Sequence, residues 1–423
     1  MTAAHAPVEA PTVQSAKRPK ICFLGNINSM PLIYARELRS LGADVVMYFE
    51  ADQNEQLHRP EARYAEYRQL PDWLRHLNVG VRSLFFAFPN VLRSRILRML
   101  NEQQFDGFVL NGLFITLAPY LNAKRFALLA GADLDVYCDP ASFRWRKLVG
   151  EFGAPRGLAR SLVFSRLVHL QRKGLAACAG TNFFAEGINP NGDALLNDIL
   201  PRSGNFRIQV RGVDTSMLAY VDGSDRTGDD TEFLIPVRMV WKEPLPAGLS
   251  RIENKKTDEM LKGFAEVRRR TALKPKLFII EKGPHVSETK ELLAKLEIAD
   301  QVTWLREMSQ SSLLEWYRRV DVVFDQLGEH MIGGIALDAM LIGRPVIANA
   351  RPEIFVPLFG EPSPICHATN ATDVAAHIGR LVNSPVVRRK MGLQCREYVT
   401  RNFNGTRTAE DMLEFFRGES STP

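Results

Sequence analysis

Short apolar, β-rich runs alternate with amphipathic stretches along most of this chain, and the alternation starts twice. In the first half, Lys20–Gly25 (KICFLG) reads as a strand, Pro31–Gly42 as a helix stopped by glycine, and Ala43–Phe49 (ADVVMYF) as the next strand. Further strands are predicted at Phe105–Asn111, Phe126–Ala130, Ala176–Phe183 and Phe206–Val210, while residues 50–104 read as irregular to helical and fit a strand order less well. The second half restarts at Thr231–Val240 (TEFLIPVRMV). A helix over about Asp258–Arg270 leads to the strand Lys276–Glu281, and a helix over Ser287–Glu297 to the strand Val302–Leu305. Helix Ser311–Arg319 then leads to the strand Asp321–Asp325, and helix Gly334–Ile342 to the strand Pro345–Ala350. Strand–helix alternation of this kind signals mostly parallel α/β sheets. It divides the chain into a tail at 1–17 expected to be flexible, a first α/β domain at 18–220, a turn-rich linker at 221–230 (VDGSDRTGDD), a second α/β domain at 231–403 and a terminal helix at 404–423. Two such units place a ligand cleft at the carboxyl ends of their strands.

Composition changes this picture little. At 423 residues the chain exceeds what one hydrophobic core ordinarily supports, and 45% hydrophobic with 24% charged residues is ordinary for a globular protein. No apolar run reaches the roughly 18 residues of a membrane-spanning helix. Residues 1–14 carry no Lys or Arg and no apolar core segment, so no signal peptide is read there. Cys22, Cys138, Cys178, Cys366 and Cys395 lie far apart, without metal or redox spacing, which favours free thiols and a cytoplasmic location. A net charge of +6 permits anionic partners without naming one.

The chemistry concentrates in Asp325–Asn349, DQLGEHMIGGIALDAMLIGRPVIAN, which reads strand, glycine-containing loop, helix, glycine stop, strand. Gly333 and Gly334 sit where a helix begins. Free N–H groups and the positive end of the helix dipole there favour a phosphate. The alternative is a glycine turn before a buried helix. His330 in the loop and Asp338 one turn into the helix can point into the same cleft.

This segment resembles the signature of the retaining GT-B glycosyltransferases of group 1, in which a Glu is followed eight positions later by a second Glu in a pattern like E-G-F-G-L-x-x-x-E-A-M-A-x-G-x-P-V. His330 stands at the first acidic position and Asp338 at the second, with Gly333, Ala339, Met340, Gly343, Pro345 and Val346 matching around them. The resemblance implies that Asp338 holds the ribose of a nucleotide sugar and that His330 lies near the transferred sugar, without the usual charge. Arg211–Thr215 (RGVDT) resembles the stretch that closes the family's N-terminal domain. Ile235–Val240 (IPVRMV) resembles the first strand of its C-terminal domain, which places Arg238 on the donor phosphates. Lys255, in Lys255-Lys256-Thr257-Asp258 with Leu261 and Phe264-Ala265, fits the partner cation after an apparent insertion at Glu243–Asn254; Lys242 is the other candidate. Glu281-Lys282-Gly283-Pro284 matches a G-x-G-P turn except at Glu281. Arg306–Ser309, with Met308, occupies the loop that receives the base, and the helical patterns near 389–403 and 411–416 match the family's terminal helices.

What the resemblance implies is an α/β, GT-B architecture of two Rossmann-like domains facing a central cleft. It also implies a UDP- or GDP-sugar as donor substrate, retention of configuration, no obligatory metal and no further cofactor. Arg238 and Lys255 would stabilise the departing diphosphate. In the N-terminal half the family's His-Gly-x-Asp run corresponds to Ala130-Gly131-Ala132-Asp133, which lacks the histidine. Asp133 is a candidate for acceptor or sugar contact, or else a helix cap or turn residue. The loop Gly25–Met30 is read as a cleft contact or a simple turn. Leu84–Phe88 with Arg93, Arg95 and Arg98, and Pro155–Lys173 with Arg156, Arg160, Arg166, Arg172 and Lys173, suit either peripheral contact with an anionic membrane or ordinary core-facing helices. No nucleic-acid motif accompanies the charge. Transfer of a hexosyl unit to a carbohydrate or lipid-linked acceptor is the expected activity, with a nucleotide-sugar epimerase and a non-catalytic nucleotide-sugar-binding scaffold as alternatives.

Overall fold

A computed structural model describes residues 18–50, 58–80, 82–88, 94–140, 158–183, 190–201, 205–209, 212–215, 218–222, 231–245, 253–270, 275–328 and 332–418. The chain forms two parallel sheets. The first contains β1 (Lys20–Leu24), β2 (Asp44–Glu50), β3 (Leu74–Leu77), β4 (Gly107–Leu110), β5 (Lys124–Ala127), β6 (Gly180–Phe183) and β7 (Phe206–Gln209), in the order β3-β2-β1-β4-β5-β6-β7. The second contains β8 (Glu232–Ile235), β9 (Lys276–Ile280), β10 (Val302–Leu305), β11 (Val322–Phe324), β12 (Val346–Ala348) and β13 (Cys366–His367), in the order β10-β9-β8-β11-β12-β13. The two share one topology. In each, the first strand lies inside the sheet and the strand order reverses beside it, which creates a crevice at the carboxyl ends of the strands. This is the GT-B architecture, two Rossmann-like domains facing a cleft.

The helices that position the site are α1 (Met30–Ser40), α2 (Pro60–Arg63), α3 (Ala132–Asp135), α4 (Thr257–Arg270), α5 (Gln310–Arg319), α6 (Gly334–Ile342), α7 (Pro385–Asn402) and α8 (Gly405–Arg417). Each sheet is apolar on both faces, as parallel sheets must be. Phe23, Val45 and Val109 pack to one side of the first sheet with Tyr34 and Leu38 of α1, and Cys22, Phe108 and Leu110 pack to the other. In the second sheet Phe233, Ile279 and Phe324 face α4, while Leu234, Val323 and Val346 face α6 and α7.

The sequence pattern missed β3, which pairs with β2 in the register Met47↔Leu74. Only Leu74 and Leu77 are buried, with Arg75 and His76 exposed between them, so a four-residue edge strand leaves neither a period-two nor an all-apolar signature. Several predicted strands are shorter than their apolar runs, two of them most clearly. Ala176 belongs to the helix Leu158–Ala176, and the strand begins at Gly180. The run Thr231–Val240 is a strand only to Ile235, because Pro236 has no N–H to give the ladder. The apolar residues beyond that proline pass over the end of the sheet and bring Arg238 with them.

The chain returns to its first domain at the end. Val213 donates its N–H to the Phe403 carbonyl (3.1 Å) and accepts from Gly405 (3.0 Å), joining the interdomain crossing to the start of α8. Helix α8 lies against α1, its Thr406 hydroxyl 2.9 Å from Glu37 Oε2. Phe415 enters the first core, edge-on to Phe126 at 5.5 Å between centroids and stacked on Phe206 at 5.1 Å. Phe415 is 1% exposed, so Phe415→Ala is expected to cost roughly 3–5 kcal/mol through lost contact and a residual cavity. Urea unfolding would register this as a lower midpoint at unchanged slope; a loss under about 1 kcal/mol would mean that α8 only leans on the first domain.

Candidate functional site

At the carboxyl edge of the second sheet, cations and carboxylates from separate elements meet. Lys255, just before α4, donates its backbone N–H to the Val240 carbonyl (2.7 Å) and its ammonium to Gln326 Oε1. Burial pushes the Lys255 ammonium below its ordinary pKa and Arg238 adds to that effect, while Asp325 and Glu253 act against it. Arg238 is half-exposed, with Glu253 3.6 Å from its guanidinium. Two cations at one edge can serve a dianion, which would relieve their mutual repulsion. The rival lysine is elsewhere: Lys242 is exposed and 3.7 Å from Glu288. Lys255 is the candidate whose ammonium Arg238 repels.

Gly283 holds the neighbouring turn in place. Its φ of +114° suits glycine, and a Cβ there would stand 2.6 Å from the Met239 nitrogen. Met239 donates to the Lys282 carbonyl (2.7 Å) and accepts from His285 (3.1 Å), so the turn clasps the residue next to Arg238. His285, buried, accepts the backbone N–H groups of Trp241 and Lys242 on Nδ1 at 3.0 and 3.1 Å. Glu281 is paired on the surface with Lys290 (2.6 Å), and Met308 is half-buried in the loop between β10 and α5.

The start of α6 differs from the expectation of free N–H groups awaiting a phosphate. Asp325, buried one residue past β11, accepts from Gln326 at 2.8 Å on Oδ1, and from Gly333 at 2.6 Å and Ala336 at 3.4 Å on Oδ2. A carboxylate of the protein thus takes an anion's place at the helix dipole. Burial pushes the Asp325 pKa up, opposed by those N–H groups and by Lys255. Gly334 is exposed, and a Cβ on it would meet no described atom within 4 Å. His330 lies outside the described residues.

Asp338, 4% exposed on α6, has both oxygens engaged. Oδ1 is 3.2 Å from Arg63 Nη2 of the first domain, and Oδ2 accepts from Gln310 Nε2 of α5 at 3.0 Å. Arg63 is itself 5% exposed. Burial opposes its charge, but the Asp338 carboxylate and the Tyr64 hydroxyl together outweigh this and raise its pKa. Sequence reasoning missed Arg63, which falls in the stretch without a pattern, and also Gln310, Gln326 and Asp325. The last two could have been suspected from their place at a strand's carboxyl end.

In the first domain Asp133 is the loop-tying residue of its two readings, a correction to its candidacy for contact with acceptor or sugar. It is fully buried on α3, and its carboxylate accepts from Ala130 (2.8 Å), Gly112 (3.2 Å) and Asn111 Nδ2 (3.4 Å). The loop after β1 is bound to the same network through Ile27 N–H on Asn111 Oδ1 (2.8 Å), and Asn28 and Ser29 hold positive φ values of 54° and 55°. Of the basic clusters, Arg93 and Arg156 lie outside the described residues. Arg166 donates to the Ala87 carbonyl (2.8 Å), and Arg172 pairs with Asp198 (2.5 Å). Among the described residues, no helix is long and apolar enough to cross a membrane.

Comparison with known proteins bears on the second domain first. Residues 244–398 match the family described as glycosyl transferases group 1. Among curated proteins, the D-inositol 3-phosphate glycosyltransferase of Nocardia farcinica (strain IFM 10152) is 26% identical over 222 residues, 49% of each chain. This chain thus spans about half the length of the curated relatives it matches. Among solved structures, sucrose-phosphate synthase from Thermosynechococcus elongatus superposes with a TM-score of 0.60 at 14% identity, covering 95% of this chain and 99% of that one. The Anabaena protein HepE in complex with UDP and glucose gives a TM-score of 0.60 at 13% identity, covering 95% and 100%. At such identities the structures establish the fold.

Asp133 gives a pH test of its buried role. Burial raises its pKa to about 6, against roughly 3.9 in an unfolded chain. Its stabilising contribution is therefore complete below about pH 4 and is lost as pH rises through about 6. The stability advantage of wild type over Asp133→Asn should be largest at pH 4 and shrink by roughly 3 kcal/mol by pH 7. A pH-independent difference between the two melting curves would contradict the assignment.

Proposed function

We propose that this chain, which through residues 244–398 matches the group 1 glycosyl transferases and is folded as GT-B, transfers a glycosyl unit from a nucleotide diphospho-sugar to a carbohydrate or lipid-linked acceptor. The observation that carries the reading is the convergence of Arg238 and the buried Lys255 at the carboxyl edge of the second sheet, where burial chiefly, and Arg238 to a smaller extent, lowers the lysine's pKa. A diphosphate is the dianion that such a pair fits. In the reaction, the acceptor hydroxyl attacks the anomeric carbon and the bond from that carbon to the diphosphate oxygen breaks. The electron pair goes to that oxygen, and the acceptor's proton passes to the leaving phosphate. Arg238 and Lys255 stabilise the charge that develops there. Asp338 binds the ribose, and Gly334 leaves room for the donor beside α6. Asp325 already fills the anion position at that helix, so the phosphates fall to the two cations. Retention of configuration and independence of metal are part of the proposal, as is a hexose as the transferred unit.

Peripheral contact with an anionic membrane is part of it too. Leu162 is 67% exposed and Phe88 39% exposed, with the Arg166 guanidinium 5.8 Å from the Phe88 ring. Flotation with phosphatidylglycerol vesicles, and its loss in Leu162→Glu, is the readout.

UDP and GDP sugars are the first donors to test, with inositol phosphates among the first acceptors. Arg238→Ala should weaken donor binding or turnover by roughly 1.5–3 kcal/mol, on the order of tenfold or more, in a protein that melts like wild type. Unaltered donor kinetics would remove Arg238 from the site. EDTA should leave turnover intact; loss reversed by magnesium or manganese would refute the metal-independent mechanism.

Gly334→Ala separates ligand space from packing. Alanine suits a helix better than glycine by up to about 1 kcal/mol, and no described neighbour obstructs it, so stability should hold or rise. Donor KM should nonetheless increase. Wild-type KM in the variant would mean the space is not the donor's.

A further inference from the structure

Asp338 cannot meet a ribose in the arrangement described, because Arg63 holds one of its oxygens and Gln310 the other. One contact must yield, and the physics of the two differs. Gln310 is a neutral amide at the first turn of α5, half-buried and next to the loop Arg306–Ser309; withdrawing it costs one hydrogen bond that water or ligand replaces. Withdrawing Arg63 would leave a guanidinium and a carboxylate buried and uncompensated, a far larger penalty. Arg63 is also held by its surroundings. The adjacent Tyr64 donates its hydroxyl to Asp214 Oδ2 at 2.9 Å on the interdomain crossing, and Arg36 lies over the Tyr64 ring at 4.1 Å, 3.7 Å from Asp214.

We propose that Arg63, from the first domain, is a positioning residue for the ribose-binding carboxylate of the second: it stays on Asp338 Oδ1 when a nucleotide binds, and Gln310 gives up Oδ2 to a ribose hydroxyl. This rests on the reading of Asp338 as the ribose contact. Two further atoms fit it. Arg63 Nε and Gln310 Oε1 are buried without a hydrogen-bond partner among the described residues, an unsatisfied donor and an unsatisfied acceptor flanking one carboxylate. A ribose hydroxyl both donates and accepts, so it can satisfy a carboxylate oxygen and a guanidinium N–H together. The nucleotide is then recognised by residues of both domains, and the first domain takes part in donor selection.

The test uses the full chain and titrates UDP and GDP, each against its 2′-deoxy and 3′-deoxy analogues, by calorimetry. Wild type should prefer a ribonucleotide over at least one deoxy form by about tenfold, the worth of a charged hydrogen bond. Arg63→Met should bring that ratio to within about twofold, because the carboxylate loses its fixed orientation. Arg63→Lys, which keeps the charge and covers failure of the methionine variant to fold, should recover part of the ratio. Gln310→Ala should keep it. If Arg63→Met weakens ribo and deoxy forms equally, Arg63 only supports the fold. If it tightens binding, Arg63 is the contact that yields. Either result overturns the proposal while leaving Asp338 as the ribose contact. A wild type that binds these nucleotides without regard to the ribose hydroxyls defeats the Asp338 reading itself, and one that binds neither nucleotide defeats the donor reading.

Discussion

Backbone N–H groups at the carboxyl ends of buried parallel strands must find acceptors where water is scarce, and much of this protein's site follows from how that need is met. Each domain answers with an aspartate. In the first, Asp133 gathers Ala130, Gly112 and the Asn111 amide. In the second, Asp325 gathers Gln326, Gly333 and Ala336. Both carboxylates are buried, and burial pushes both pKa values up. Both tie a strand-to-helix loop to the edge of its sheet, and so fix the geometry from which a ligand site can be built.

The two domains diverge in what surrounds that device. Around Asp133 the neighbours are neutral backbone and amide groups, and the carboxylate is spent on architecture. Around Asp325 stands Lys255, with Arg238 beyond it and Glu253 beside Arg238, so two cations and two carboxylates meet at the second edge. Arg238 and Lys255 are the proposed phosphate contacts because Asp325 already accepts from the N–H groups at the start of α6.

The domains are not independent supports for one ligand. The crossing at Val213 and Asn404, the return of α8 onto α1 and the buried Arg63–Asp338 pair link them at separate points. The first two are apolar packing and backbone pairing, which stabilise without selecting. The third places a charge of one domain on a buried carboxylate of the other. An ion pair in that position adds little net stability against its desolvation cost, but it specifies how the two halves must sit for Asp338 to be oriented.

The sequence by itself determined the double α/β repeat, because parallel strands buried on both faces leave unmistakable apolar runs, and because glycine stops mark the helices between them. It also determined the bounds of α6, Gly334–Ile342, which it predicted without error. The positions of Arg238, Lys255 and Asp338 were legible from spacing within one domain and from resemblance. Only the tertiary structure separates Lys255, whose ammonium Arg238 repels, from Lys242, which lies against Glu288, since both follow the same strand. Only the tertiary structure ended the strand at Pro236, revealed the edge strand at Leu74–Leu77 and turned Asp133 inward. And only it brought Arg63 to Asp338, 275 residues apart in the chain. Periodicity reports which face of an element is buried; it carries no information about which distant side chain lies opposite, because that is set by how two completed domains pack.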